Sequence, residues 1–127
     1  MSKGNTFEND LMLLVFNATA IANLADNAGT APLTSLYVSL HTADPGEAGN
    51  QTTSEATYTS YARVAVTRSG AGWTVTGNQA ENAALVQFPQ CTGSSNTITH
   101  VGVGTAASST GKLLYKGALS SSLAVSS

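Results

Sequence analysis

The sequence has little charge to offer a partner. Asp, Glu, Lys and Arg make up 9% of its 127 residues, against the roughly 25% of an ordinary soluble domain. Lys and Arg form no cluster and the formal net charge is −2. The concentrated positive charge that neutralises phosphates is therefore missing, which argues against direct nucleic-acid binding. The single cysteine, Cys91, rules out an internal disulfide framework and a thiolate metal cluster. The longest apolar run, residues 11–16, is too short to cross a bilayer, and no basic segment with a following cleavage site precedes it. No fixed-period repeat and no sustained heptad occurs, which excludes a solenoid and a coiled-coil shaft.

Low charge is not disorder here. Hydrophobic residues form 42% of the chain, enough for the core of one domain. Ser, Thr, Ala, Gly and Asn fill the surface in place of charge. Such a surface suits permanent packing against protein neighbours, where each buried charge would need a partner. A neutral soluble domain fits the composition equally well.

Residues 1–29 read as an N-terminal helical arm and residues 30–127 as a β domain. Residues 1–4 read as a loose end. Asn5 is a candidate N-cap, with Glu8 three residues on to close a capping box. Phe7, Leu11, Leu14, Ala18, Ile21 and Ala25 recur at spacings of three and four, one helical stripe. Leu13, Val15 and Phe16 are apolar as well, so the middle of the helix is apolar on more than one side. Such a helix is buried on several faces or touches another subunit. Phe7, Leu11, Leu13, Leu14, Val15 and Phe16 are therefore candidate subunit-contact residues. Asn17 and Thr19 are weaker helix formers at which a break could fall, and Asn27 or Gly29 would cap the end.

Leu36, Val38 and Leu40 alternate with Tyr37, Ser39 and His41, the period of a half-buried strand. Ala43-Asp44-Pro45-Gly46 stops it in a turn. Residues 61–66 return as a second strand. Between them, residues 42–60 are long for a loop in a compact domain and hold Asp44, Glu47 and Glu55 but no Lys or Arg. That reads as a solvated, flexible acidic surface or as a binding loop, with Asp44, Glu47, Glu55 and Tyr58 the candidate binding residues. Arg63 lies in the returning strand. A solvated edge charge is the simpler reading; a pair with an acid such as Glu55, or with one from a neighbouring subunit, is the other. Further strands are expected over residues 73–76, 82–88, 97–103, 113–119 and 123–125, with Gly77-Asn78 as a hairpin turn. About seven short strands with turn signals between them argue a mainly β fold. The expected architecture is a single antiparallel β-sandwich or jelly-roll-like domain preceded by one N-terminal α-helix.

Little in the chain reads as chemistry. His41, Asp44 and His100 could in principle supply two imidazoles and a carboxylate to a metal, but their spacing matches no ligand motif. His41 and Asp44 are better read as stabilising the turn by local hydrogen bonds. Ser109-Thr110-Gly111-Lys112 has the Ser-x-x-Lys spacing of serine acyl enzymes without their partner motifs or helix. Residues 104–112 fail as a phosphate loop because Leu113 stands where Ser or Thr should follow the Lys. Cys91 has no cationic neighbour in sequence to lower its pKa. No catalytic residue, cofactor site or metal ligand is assigned, no cofactor is expected, and the chain reads as a non-enzyme.

Leu40-His41-Thr42-Ala43-Asp44-Pro45-Gly46, a variable loop and Tyr61-Ala62-Arg63-Val64-Ala65-Val66 resemble a family of small tailed-bacteriophage proteins, tail-fibre-like or virion structural. Gly72-Trp73-Thr74-Val75, Phe88-Pro89-Gln90-Cys91-Thr92-Gly93, Thr99-His100-Val101-Gly102-Val103-Gly104 and Gly111-Lys112-Leu113-Leu114-Tyr115 look like later blocks in the same order. The resemblance implies a virion protein, assembled in the host bacterial cytoplasm. It also implies a further strand region beyond residues 119–126, whereas this sequence stops at Ser127. With no shaft repeat, a compact domain with an apolar helix suits a capsid decoration (cement) protein that bridges major capsid protein subunits or other virion proteins. Dimers or trimers of the chain would strengthen such bridging by multivalency. A tail-fibre or tail-tip component, including a receptor- or carbohydrate-binding module, is the alternative. Neither nucleic acid nor membrane is an expected partner.

Overall fold

The computed structural model describes residues 1–17, 19–25, 33–76 and 79–127, and all of their side chains except those of Met12, Leu14 and Val15. The chain opens with a two-residue strand, β1 (Ser2–Lys3), and a helix, α1 (Asn5–Asn17). Then come β2 (Ser35–His41), β3 (Val64–Thr67), β4 (Trp73–Thr76), β5 (Gln79–Asn82), β6 (Ser95–Gly104) and β7 (Leu113–Ser126). Five strands form one sheet in the order β1-β7-β6-β2-β3, and β4 and β5 form a two-stranded sheet. All pairings are antiparallel. The expected mainly β chain forms, with seven antiparallel strands and one helix near the N-terminus, although β1 precedes the helix and six strands follow it.

β2 sets the two faces of the larger sheet. Its alternation sends Leu36, Val38 and Leu40 to one side and Tyr37, Ser39 and His41 to the other. Leu36 stands opposite Val66, and Val38 lies between Val64 and Val103. Such β-branched neighbours suit a pleated surface. Val38, Val66 and Val103 are buried together, and Trp73, Val86 and Phe88 pack against them. The β4–β5 hairpin and the chain that follows it thus cover the apolar face. Gln51 and Thr53, from residues 42–60, lie against the other, while Ala56 and Tyr58 of the same stretch are buried with Cys91 and Ile98 beside Leu40.

The helix starts and stops elsewhere than expected. Glu8 N–H donates to the Gly4 carbonyl (3.0 Å), so Gly4 stands at the cap instead of Asn5, whose N–H goes to the Glu47 carbonyl (2.9 Å). The helix ends at Asn17, where weak helix formers allow it. Ile21 and Ala25 then close a tight turn through paired backbone hydrogen bonds (2.7 and 2.8 Å). The apolar stripe still gathers into one core: Phe7, Ile21 and Leu114 are buried together, flanked by Leu11, Leu24, Ala25 and Leu36. Lys112 forms an ion pair with Asp10, joining the helix to the start of β7. The caps proposed at Asn27 and Gly29, the stripe position Ala18 and the Gly77-Asn78 turn lie outside the described residues.

Four strand expectations need correction. Residues 1–4 are not a loose end, because Ser2 and Lys3 pair with Lys116 and Tyr115. β3 begins at Val64, so Arg63 precedes the strand. The strand expected over residues 82–88 stops at Asn82, whose side-chain amide donates to the Ala84 carbonyl (2.8 Å) and bends the backbone out of the ladder. The two last strands are one, β7, interrupted by a bulge in which residues 119–122 stand opposite Thr99 alone.

Candidate functional site

The loop singled out by its length and acidity is a hydrogen-bonded cover. Thr42 N–H donates to the Ser54 carbonyl (2.8 Å) and Ala56 N–H to the Leu40 carbonyl (2.9 Å), so the loop runs back along the end of β2. Gln51 N–H donates to the Thr110 carbonyl (2.9 Å). The Asn96 side-chain oxygen accepts from the N–H groups of Thr57 (2.7 Å) and Tyr58 (2.9 Å). At the start of the loop, the Asp44 carboxylate accepts the Gly46 N–H (2.9 Å), the local turn bond expected of Asp before Pro-Gly. Backbone and side-chain bonds thus fasten the loop to β2, β6 and the β6–β7 connection, while its outer side, with the Asp44 and Glu47 side chains 52% and 43% exposed, faces solvent.

Beneath the loop lies a polar layer with no exposed member. Ser39, His41 and Gln51 each have 0% exposure. His41 Nδ1 lies 2.8 Å from the Thr53 carbonyl and Nε2 lies 2.8 Å from Ser39 Oγ. A carbonyl only accepts, so Nδ1 carries the proton and Ser39 donates to Nε2. Burial holds the His41 pKa below its ordinary value, outweighing the Thr53 carbonyl and nearby Glu55, which favour the cation; Arg63 and His100 disfavour it. The Gln51 amide oxygen accepts the Ala106 N–H (2.9 Å), and its nitrogen donates to the Ala106 carbonyl (3.3 Å). The side chain thus pairs with Ala106 as a neighbouring strand would.

Glycines in β6 make room for this layer. A Cβ at Gly102 would lie 2.8 Å from His41 Nε2 and from Ser39 Oγ, and one at Gly104 would lie 2.2 Å from Gln51 Cδ. Gly102-Val103-Gly104 thus forms a groove for buried side chains.

Arg63 closes the layer at its edge. Its Nε and Nη2 bind the two oxygens of Glu55 (2.7 and 2.8 Å), a two-pronged pair. Nη1 donates to the Ala106 carbonyl (2.8 Å) and Nη2 also donates to the Ser109 carbonyl (2.7 Å). Only 3% of the Arg63 side chain and 15% of that of Glu55 is exposed. The solvated edge charge favoured by the sequence reading is corrected: Arg63 turns inward because Glu55 and two carbonyls offer four of its five N–H groups a fixed acceptor. Tyr61 Oη donates to Glu55 (2.9 Å) and accepts the Leu40 N–H (3.1 Å), and burial raises its pKa further above the ordinary phenol value.

Lys116 of β7 takes up the other two acids, with Nζ 2.9 Å from Glu47 and 3.1 Å from Asp44. Ser2 Oγ also donates to Glu47 (2.8 Å). These bonds hold the Glu47 carboxyl below its ordinary pKa, first through Lys116. Asp44 is lowered as well, first by the Gly46 N–H, and Lys116 is raised by both acids. Asp44, Glu47 and Glu55 are thus brought to the same cover but are each engaged within the chain. Tyr58, the fourth candidate, is 3% exposed and donates to the Pro89 carbonyl (3.0 Å).

The helix candidates divide. Phe7 is buried, edge-on to Tyr115 with ring centres 5.6 Å apart. Leu11 and Leu13 are half-buried, and Phe16 is 73% exposed. The side chains of Leu14 and Val15 lie outside the described residues. Sequence reasoning missed Gln51, Ser39, Gly102 and Gly104. A glutamine in a Thr-rich loop carries no signal of burial, but a Gly-x-Gly in the middle of an apolar alternation does mark a close approach.

The histidines do come together, since His41 and His100 face each other across β2 and β6. Yet both nitrogens of His41 are occupied, and Asp44 is turned to Gly46 and Lys116. Ser39 and His41 have the hydrogen bond of a nucleophile and its base, but neither has any exposed surface through which a substrate could arrive. Cys91 is buried, its thiol donating toward the Gly93 and Ser94 carbonyls (3.3 and 3.4 Å). What the arrangement can do is fix a long loop and the β6–β7 connection in one position. No helix among the described residues is long and apolar enough to cross a membrane.

Residues 4–127 match the family profile described as podophage GP4 fiber I protein gp80. No curated protein matches the chain.

Proposed function

The chain belongs to the podophage GP4 fiber I protein family, a family of phage structural proteins, and from that membership we propose that it is a non-enzymatic globular module of a virion fibre. The match across residues 4–127 carries the reading. Absence of any shaft repeat in the sequence supports a block within or at one end of a fibre over a rod-forming segment. The inward-facing polar layer supports a structural role, because the groups that could have done chemistry or held a sugar are spent on holding the loop. Its partners are other virion proteins, reached through the exposed small-residue surface and through Phe16. A capsid decoration role remains the competing assignment and differs from this one in position and copy number.

Cryo-electron microscopy of the purified particle tests it. A low copy number set by the symmetry of the tail, with density at a fibre, is the expected result. Copies ordered over the whole capsid lattice would overturn the fibre assignment in favour of a cement protein.

A further inference from the structure

β7 is the longest strand, and much of it is unpaired. β1 covers it only at Tyr115 and Lys116, and no strand of the described residues lies along that edge from Gly117 onward. On the opposite edge, pairing with β6 stops at Ala118 and resumes at Leu123. Residues 119–122 are opposed by Thr99 alone, so most of their backbone donors and acceptors have no ladder partner. An open edge is a template for another strand, and natural proteins usually blunt it with Lys, Pro or an inward charge. Residues 117–127 contain no charge and no proline. Ala118, Ser120, Ser121, Ser122, Leu123 and Ala124 are exposed, Leu123 by 55%.

The sequence of the edge indicates what fits it. Residues 118–124 read Ala-Leu-Ser-Ser-Ser-Leu-Ala, identical in both directions about Ser121. If two copies pair antiparallel about a two-fold axis at Ser121, each residue meets its equal. Ser121 faces the partner's Ser121, Ser120 the partner's Ser122, Leu119 the partner's Leu123, and Ala118 the partner's Ala124. A two-fold interface uses the same patch on both subunits and needs this self-complementarity. A foreign strand does not. The bulge then has a role: it frees the centre of the palindrome from β6 and presents it at the surface. We propose that residues 118–124 form the two-fold contact of a homodimer, with Ser121 on the axis. The contact goes beyond the fibre assignment and concerns the chain alone, so the location of the chain on the particle leaves it standing.

Cross-linking of the purified full chain tests both contact and register. Two cysteines directly opposite each other in an antiparallel pair lie within disulfide reach. S121C is expected to oxidise to a covalent dimer in high yield. S120C, which faces the partner's Ser122, should give several-fold less, and S120C/S122C should restore it. Cys91 is buried and does not compete. Leu123→Lys, at a position 55% exposed, should weaken dimerisation at least ten-fold in sedimentation equilibrium while leaving circular dichroism unchanged. A wild-type chain that stays monomeric throughout the concentration series would overturn the proposal. So would S120C cross-linking as well as S121C.

Discussion

The two faces of the five-stranded sheet are covered by different kinds of interaction. On the loop side, Ser39, His41, Gln51, Glu55 and Arg63 form a layer in which each polar side chain meets a partner of fixed geometry, and Tyr61 joins it to the other side, bonding Glu55 while its ring stacks on Phe88. On the hairpin side, Trp73, Val86 and Phe88 lie on valines, while Val75 is 70% and Leu85 84% exposed. There the Trp73 indole N–H has no acceptor among the described residues. An open groove of about 860 Å³ runs between Leu36, Trp73, Val75, Val103 and Tyr115. Apolar contact is non-directional and tolerates such looseness. A buried polar network does not, because each unmet group costs the full desolvation of that group. The loop side should therefore be brittle to substitution and the hairpin side forgiving.

Arg63→Ala is the most damaging single change this contrast implies. It strands the Glu55 carboxylate in a site of low exposure and frees the Ala106 and Ser109 carbonyls, and breaking a buried pair in this way costs about 3–5 kcal/mol. Urea unfolding with an unchanged m-value would report it. Gly104→Ala comes next. Its Cβ would overlap Gln51 and push the amide off Ala106, for about 1–3 kcal/mol, again read from urea midpoints.

The pH dependence of stability gives a smaller effect. His41 is neutral and buried in the fold, with its pKa lowered, whereas in the unfolded chain it titrates near 6.5. Below pH 6.5 the unfolded chain binds the proton first. The stability contributed by neutral His41 is thus fully present above that value and is lost as the pH falls toward the folded-state pKa. Melting temperature followed between pH 7.5 and 5 should decline for the wild type and decline less for His41→Gln. On the hairpin side, Leu85→Ser and Val75→Thr should change stability by no more than about 0.5 kcal/mol. If either cost as much as Gly104→Ala, the contrast between the two faces would be wrong.

The sequence is a good guide to one of these faces and a poor one to the other. Alternation through residues 36–41 placed β2 correctly, because Leu36 and Val38 face the valine cluster and Leu40 faces the cluster of Ala56, Tyr58, Cys91 and Ile98. The same alternation puts Ser39 and His41 on the polar side, where with Gln51 they have no exposed surface. Period alone cannot tell a polar face that meets water from one that meets a loop. Arg63 and Glu55 are eight residues apart with a turn between them, so their pairing depends on how residues 42–60 fold back. The strand count was right although its membership was not: β1 exists only because Ser2 and Lys3 find an edge of β7, a non-local event that leaves no mark on a four-residue stretch. The blocks that carry the family resemblance, around His41, Asp44, Tyr61 and Arg63, are also where the hydrogen-bonded layer is built.

The buried polar layer requires residues 42–60 to be fixed against the sheet. Amide hydrogen exchange of the native chain tests this most directly, at Thr42, Gln51 and Ala56, whose N–H groups bond to Ser54, Thr110 and Leu40. If the cover is integral to the fold, these amides exchange as slowly as those of Val101 and Val103 in β6, limited by global unfolding. Exchange at the rate of a free peptide, with β6 still protected, would contradict it.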